Sequence, residues 1–241
     1  MNAVEFDDVT FRAGGRDILK NFSLAVPSGE TVVLLGRSGS GKTSALKLVN
    51  AMHRESAGAV RVAGQPTAAW KAIELRRHIG YVMQDAGLFP HYTVAQNVGL
   101  VPRLLQWPNG RIAARVEELL ELVGMPFAEF HARYPRQLSG GQRQRVGVAR
   151  ALAADPSILL FDEPFGALDP ITRAELQREF VRLRDRLGKT ALFVTHDVRE
   201  ALKVGTRIAL IEGGRVAVAG APQEFEASRH PEARAFLKSL E

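Results

Sequence analysis

The chain has 241 residues, 46% of them hydrophobic and 24% charged, with a net charge of +6 and no cysteine. That length allows one large domain or a domain with a small subdomain, and the composition supports a packed core and excludes wholesale disorder. Without cysteine there is no disulfide framework and no Cys-based metal site, which fits a reducing compartment. The opening Met1–Asp8 carries neither a basic nor an apolar leader signal, and no apolar run approaches the ~18 residues of a membrane span. A soluble, cytoplasmic protein is expected. The positive balance permits contact with nucleic acid or anionic membrane. However, Arg173, Arg178, Arg182, Arg184 and Arg186 spread along polar helix faces, and no basic run interleaves with aromatics as a single-strand platform requires. The charge reads as a solvated surface, and no nucleic-acid partner is expected.

Residues Val4–Phe11 and Ile18–Val26 alternate polar and apolar side chains about the turn Ala13-Gly14-Gly15-Arg16, which predicts an antiparallel hairpin. Pro27–Glu30 turns the chain into the apolar run Thr31–Leu35, a buried strand. The next residues, Gly36-Arg37-Ser38-Gly39-Ser40-Gly41-Lys42-Thr43, fit G-x-x-x-x-G-K-[ST]. Thr43–Met52 then reads as a helix with apolar Ala45, Leu46, Leu48 and Val49. Strand, glycine loop and helix are the context a phosphate-binding loop requires. Its glycines let backbone N–H groups turn inward around a β-phosphate, and the helix N-terminus adds partial positive charge. Lys42 would reach β- and γ-phosphate oxygens, the Thr43 hydroxyl would ligate Mg²⁺, and Ser44 is counted with the cradle.

Gly58–Ala63 with Gly64-Gln65-Pro66 predicts a short strand and turn, and Ile79–Met83 a further strand ending at Gln84. From Asp85 to about Arg136 the strand signal disappears. Arg111–Val123 has helical spacing through Ile112, Val116, Leu119, Leu120 and Val123, closed by Gly124, and Pro126–Tyr134 reads as another helix. A helical subdomain over approximately residues 85–150 is therefore expected inside a single domain spanning residues 1–241. Gln142–Ala154 is read as a helix introduced by Leu138-Ser139-Gly140-Gly141-Gln142. A serine and two glycines there form either a second anion site or simply an N-cap with flexible glycines.

The apolar strand Ile158–Phe161 delivers Asp162 and Glu163. Beside a phosphate loop, Asp162 would hold Mg²⁺ through water and Glu163 could polarise an attacking water, help typically worth about 10²–10⁴-fold. Ile171–Leu187 reads as a helix and Thr190–Thr195 as a strand closed by His196. Strands Arg207–Ile211 and Arg215–Ala219 flank Gly213-Gly214, and helices Gln223–Ser228 and Pro231–Leu240 finish the chain. The alternation predicts a mainly parallel α/β core with an antiparallel N-terminal β layer.

Gly36–Thr43, Gln84, Leu138–Gln142, Ile158–Glu163, Gly166-Ala167-Leu168-Asp169 and His196 stand in the order and spacing of ABC ATPase subunits, which the chain resembles over essentially its whole length. The resemblance implies the ABC type of P-loop NTPase fold and two such domains closing head to tail around two ATP molecules. Each ATP would lie between Gly36–Thr43 of one subunit and Ser139–Gln142 of the other. It further implies that Glu163 is the general base and that His196 contacts the γ-phosphate. Gln84 would help hold Mg²⁺ or water, and Asp169 would sit at the dimer seam.

A narrower resemblance rests on Ile79–Gln84, Gly87-Leu88-Phe89-Pro90-His91, Asn97–Pro102 and Glu163–Thr172. Together these are similar to importer ATPases for osmoprotectants and other quaternary amines such as glycine betaine, choline and carnitine. The resemblance implies a motor on the cytoplasmic face of the inner membrane, paired with membrane subunits and served by a separate solute-binding protein. Leu88, Phe89, Tyr92 and Val94 are candidates for a groove receiving a membrane subunit's helix, or else they pack the subdomain. A quaternary ammonium needs an aromatic cage, so substrate choice is expected to lie outside this chain.

Two departures from the family pattern stand out. Ala13 occupies the position where an aromatic usually stacks on adenine, and Phe11 is read as core, so weak ATP affinity and poor discrimination against GTP are expected. The sequence also ends at Glu241, so no C-terminal regulatory domain is expected. Rival readings are a motor for another solute or for export, and a soluble ABC ATPase acting on ribosomes or DNA.

Overall fold

The computed structural model describes residues 1–240. The strands β1 (Asn2–Ala13), β2 (Arg16–Pro27) and β3 (Thr31–Leu35) lead into helix α1 (Lys42–Val49). Next come β4 (Ala57–Val62), β5 (Gln65–Pro66), a single 3₁₀ turn, α2 (Ala72–Arg77) and β6 (Ile79–Val82). The helical stretch holds α3 (Val94–Val98), α4 (Leu100–Leu104), α5 (Asn109–Leu122), α6 (Phe127–Phe130) and α7 (Gly140–Leu152). After β7 (Ile158–Asp162) and α8 (Pro170–Leu187) follow β8 (Thr190–Thr195), α9 (Val198–Val204), β9 (Arg207–Glu212) and β10 (Arg215–Gly220). The last described elements are α10 (Pro222–Glu226) and α11 (Pro231–Lys238). The chain divides into two compact units, one of Met1–Arg76 with the residues from Val181 onward, the other of Arg77–Phe180.

In the first unit, β1 and β2 pair antiparallel about Gly14 (φ 56°) and Gly15 (φ 74°). Two left-handed residues give the turn a twist that matches the right-handed twist of its strands. β4 and β5 extend this antiparallel layer in the order β2-β1-β4-β5. The second layer runs β10-β9-β3-β8, with β3 parallel to both β8 and β9 and only β10 antiparallel. All five residues of β3 and all six of β8 are buried. A parallel strand covered on both faces is near-continuously apolar, which is why these runs do not alternate.

In the second unit, β6 and β7 form a parallel pair with Ile79 opposite Ile158. Gly80 lies against α7, where an added Cβ would sit 2.4 Å from the Ala151 carbonyl oxygen. α5 buries Ile112, Val116, Leu119 and Leu120 on one face, as its spacing predicts. Phe180 packs edge-on to Phe161 and Phe165, with centroids 5.0 and 6.3 Å apart.

Several boundaries differ from the sequence reading. α1 stops at Val49, not Met52, because Asn50 caps it and Ala51 turns left-handed at φ 52°. The helix expected over Pro126–Tyr134 is the single turn α6, since Tyr134 precedes Pro135 and is held extended at φ −97°, ψ 156°. Helices α2, α3, α4 and α9 went unread. With five to seven residues each, they are too short for a 3.6-residue period to show.

Candidate functional site

The first unit carries the phosphate loop. β3 ends at Leu35, and the chain must then turn inside a crowded space. A Cβ on Gly36 would lie 2.4 Å from the Ile211 carbonyl oxygen. One on Gly41, whose φ is 102°, would lie 2.7 Å from Leu19 Cδ2. Glycine is the residue that fits either position. Lys42 is 4% exposed, and its Nζ donates to the carbonyls of Gly36 (2.7 Å) and Arg37 (2.9 Å). The buried ammonium thus closes the loop on itself.

Two observations fit this loop to an anion. The N-terminus of α1 has no side-chain cap and no acidic residue in its first turn, so its positive end stands uncompensated. The Ser40 Oγ is buried with no hydrogen-bond partner, a cost that a phosphate oxygen would relieve. Ser38 and Gly39 are exposed on the rim, and Thr43 and Ser44 are half-buried at the start of α1. His196 is exposed immediately beyond β8, and Asp197 after it caps α9 by accepting from the Arg199 and Glu200 N–H groups. The structure brings His196 and Arg37 together as walls of one open pocket of about 430 Å³, lined also by Val198, Ala235 and Phe236.

The second unit carries the carboxylates. Asp162, the last residue of β7, accepts a hydrogen bond from the Tyr81 hydroxyl at 3.1 Å. Burial first, and the Asp162 charge second, push the Tyr81 phenol well above its usual range. Glu163 sits at φ 47°, a left-handed conformation uncommon outside glycine and the kind of backbone strain that collects at functional sites. A Cβ added to Gly166 would be 3.3 Å from Gln84 Nε2 and 3.7 Å from Glu163 Oε2. Gln84 and Glu163 therefore flank the same glycine.

Ser139 caps α7 in a reciprocal box, its Oγ accepting from Gln142 N (3.2 Å) while Gln142 Oε1 accepts from Ser139 N (2.9 Å). Gly140 and Gly141 are close-packed: Cβ atoms there would meet Leu168 Cδ2 at 3.3 Å and Thr172 Cγ2 at 2.6 Å. That places the segment holding Asp169 beside the start of α7. Asp169 accepts from the N–H groups of Ile171 (3.1 Å) and Thr172 (3.0 Å). The Thr172 bonds hold its carboxyl below the ordinary range.

Two contributors escaped the sequence reading. Arg150, from α7, donates to the carbonyls of Gly87 (2.7 Å) and Ala86 (2.6 Å), and burial lowers its pKa. Gln144 adds a bond to the Met83 carbonyl at 3.3 Å, so α7 grips the turn on both sides of Gln84. Of the groove candidates, Phe89 is exposed and Leu88 and Tyr92 are half-buried, but Val94 is fully buried and packs the subdomain. Ala13 is exposed at the hairpin tip, while Phe11 is buried and stacks on His53 with centroids 4.8 Å apart.

Thr43, Gln84 and Asp162 all offer oxygen donors, the ligand type a hard cation such as Mg²⁺ takes. Among the described residues no cluster of three or more His, Cys, Asp or Glu could hold a metal unaided.

Residues 19–166 match the family model described as ABC transporter. The chain is 48% identical over 212 residues to the choline transport ATP-binding protein OpuBA of Bacillus subtilis, covering 88% of this chain and 55% of that protein. It is 47% identical over 219 residues to the glycine betaine uptake system ATP-binding protein YehX of Escherichia coli, covering 91% and 71%. Among solved structures, it superposes with a TM-score of 0.79 at 34% identity on a dimeric post-hydrolysis state of the ATP-binding cassette MJ0796 bound to ADP and Pi, covering 91% of this chain and 98% of that one. The chain spans about half the length of OpuBA.

Proposed function

The chain belongs to the ABC transporter family, and on that premise we propose that it is the ATP-hydrolysing motor of an importer for osmoprotectants or other quaternary amines. The observation that carries the ATPase reading is the buried Lys42 closing a glycine loop in which the Ser40 hydroxyl has no partner. Relatives whose names specify choline and glycine betaine support the solute class. Import, rather than export, rests on the same relatives.

ATP would supply the phosphoanhydride bond, and Mg²⁺ would neutralise the charge developing on its oxygens. The chain's own residues do the rest. Lys42, Ser40 and the first turn of α1 hold the phosphates. The hydroxyl of Thr43 and the oxygens of Gln84 and Asp162 would hold the metal, directly or through water. Glu163 takes the proton from the attacking water, and His196 steadies the γ-phosphate. A second copy would supply its Ser139–Gln142 segment to the same nucleotide, with Asp169 at the seam. Closure of the pair would drive membrane subunits served by a solute-binding protein, with this chain on the cytoplasmic face of the membrane. No described helix is long and apolar enough to cross a bilayer.

Glu163→Gln tests the chemistry. Hydrolysis falls by about 10² or more, while ATP is retained and an ATP-bound dimer accumulates in size-exclusion chromatography. A variant that turns over at the parent rate removes Glu163 as the base. Co-purification from native membranes tests the transport reading. A polytopic partner supports it, and recovery with ribosomes or DNA instead overturns it.

A further inference from the structure

Glu232 lies in the first turn of α11, and its carboxylate accepts from Arg37 Nε at 2.5 Å and Nη2 at 3.2 Å. The planar guanidinium fork meets the carboxylate at two points, the geometry that makes such pairs directional. Arg37 is also part of the loop's internal bonding. Its carbonyl oxygen accepts from Lys42 Nζ (2.9 Å) and from Ser40 N (3.2 Å). One residue therefore joins α11 to Lys42 and to the Ser40 backbone. The far end of α11 is fixed as well: the carbonyls of Ser239 and Leu240 accept from Arg199 Nη2 at 3.4 and 3.3 Å.

The pair is a poor staple for the fold. The Arg37 side chain is 73% exposed, against 14% for Glu232, and an ion pair with one partner so open to water adds little to stability. Its effect falls on the loop. Closing a glycine-rich loop around an anion costs conformational freedom, and a loop already pinned at its second residue has less to lose.

We propose that Glu232 is a positioning residue for the nucleotide: from α11 it pins Arg37 and so pre-orders Gly36–Thr43 for a triphosphate. This rests on the ATPase reading above. It differs in sign from a plain charge effect, because removing a carboxylate raises the positive potential near the loop and by itself would tighten nucleotide binding.

The test is a titration of the whole chain with a fluorescent ATP analogue and Mg²⁺, at low and high salt, for the parent, Glu232→Gln, Arg37→Ala and the double variant. Glu232→Gln is expected to weaken binding by about two- to fivefold at low salt, with kcat within about twofold of the parent. The ratio to the parent should shrink towards one at ~1 M salt, where the Debye length is ~3 Å. In the Arg37→Ala background the second substitution should add nothing.

Tighter or unchanged binding overturns the proposal. So does an equal loss in both backgrounds, or a loss indifferent to salt, which is how damage to α11 packing would read. A parent chain that binds no ATP analogue overturns the ATPase reading and this proposal with it. A parent that binds, with Glu232→Gln unchanged, overturns only the role of Glu232.

Discussion

Tyr81 and Asp162 lie on adjacent parallel strands, Tyr81 in register with Leu160, and the phenol reaches two residues along to donate to the carboxylate at 3.1 Å. Asp162 is thus oriented by a neighbour as well as by its own strand. Tyr81→Phe should lower stability by about 1–2 kcal/mol in urea unfolding and raise the Mg²⁺ concentration needed for half-maximal hydrolysis. The pH dependence has a definite sign. The folded-state pKa of Tyr81 is raised, so its contribution is complete below the ordinary tyrosine pKa of ~10 and is lost only as pH rises through the higher folded value. The parent should therefore hold its advantage over Tyr81→Phe through pH 10.

Ser40 makes a prediction with opposite signs in two assays. Its buried hydroxyl has no partner in the chain alone. Ser40→Ala should leave thermal stability without nucleotide unchanged or raise it by up to ~1 kcal/mol, yet weaken ATP binding by about five- to tenfold, the worth of one lost hydrogen bond. Equal losses in the melting and binding measurements would show that the hydroxyl serves the fold.

Arg150 bridges the Ala86 and Gly87 carbonyls from a largely buried position. Arg150→Met strands both acceptors but also removes the desolvation cost of a buried cation, so a net loss of about 2–3 kcal/mol is expected in urea unfolding. Arg150→Lys should recover less than half of that, because an ammonium cannot fork across two carbonyls. Hydrolysis should fall in both, since the turn they loosen carries Gln84.

Ala13 offers no ring to a nucleobase. The parent should bind ATP weakly and with little preference over GTP, and Ala13→Tyr should tighten ATP by about 1–3 kcal/mol if a stacking platform is restored. Competition binding of the two nucleotides measures both. A parent that is already tight and adenine-selective would mean that other residues hold the base.

How much of this was legible in the sequence depended on the range of the signal. Gly36–Thr43 and Leu138–Gln142 stand out in the sequence because their patterns are compressed into eight and five consecutive residues. β3 and β8 could be read because a buried parallel strand is a near-continuous apolar run that does not alternate. The Tyr81–Asp162 bond could not, since it depends on the register of strands 81 residues apart in sequence. Arg150 looked like any other arginine of a polar helix face until α7 was packed against the Gln84 turn. α3 carried a signal that hydrophobic period misses: Thr93-Val94-Ala95-Gln96 is the S/T-x-x-Q pattern of a capping box, and both of its bonds form.

Asn97 has a wider consequence. Fully buried, its amide oxygen accepts from Phe89 N while its nitrogen donates to the carbonyls of Phe89, Tyr92 and Thr93. One side chain thereby fixes the backbone beneath three exposed or half-buried rings, Phe89, His91 and Tyr92, which lie in mutual contact. The segment is stiff without being core. Whatever meets those rings encounters a surface whose shape is settled beforehand, so little ordering entropy is lost on association. The same economy is fragile. Deamidation of Asn97 would replace its donating nitrogen by a carboxylate oxygen facing three carbonyl oxygens, and one slow chemical event would remove the side-chain bonds that set this shape.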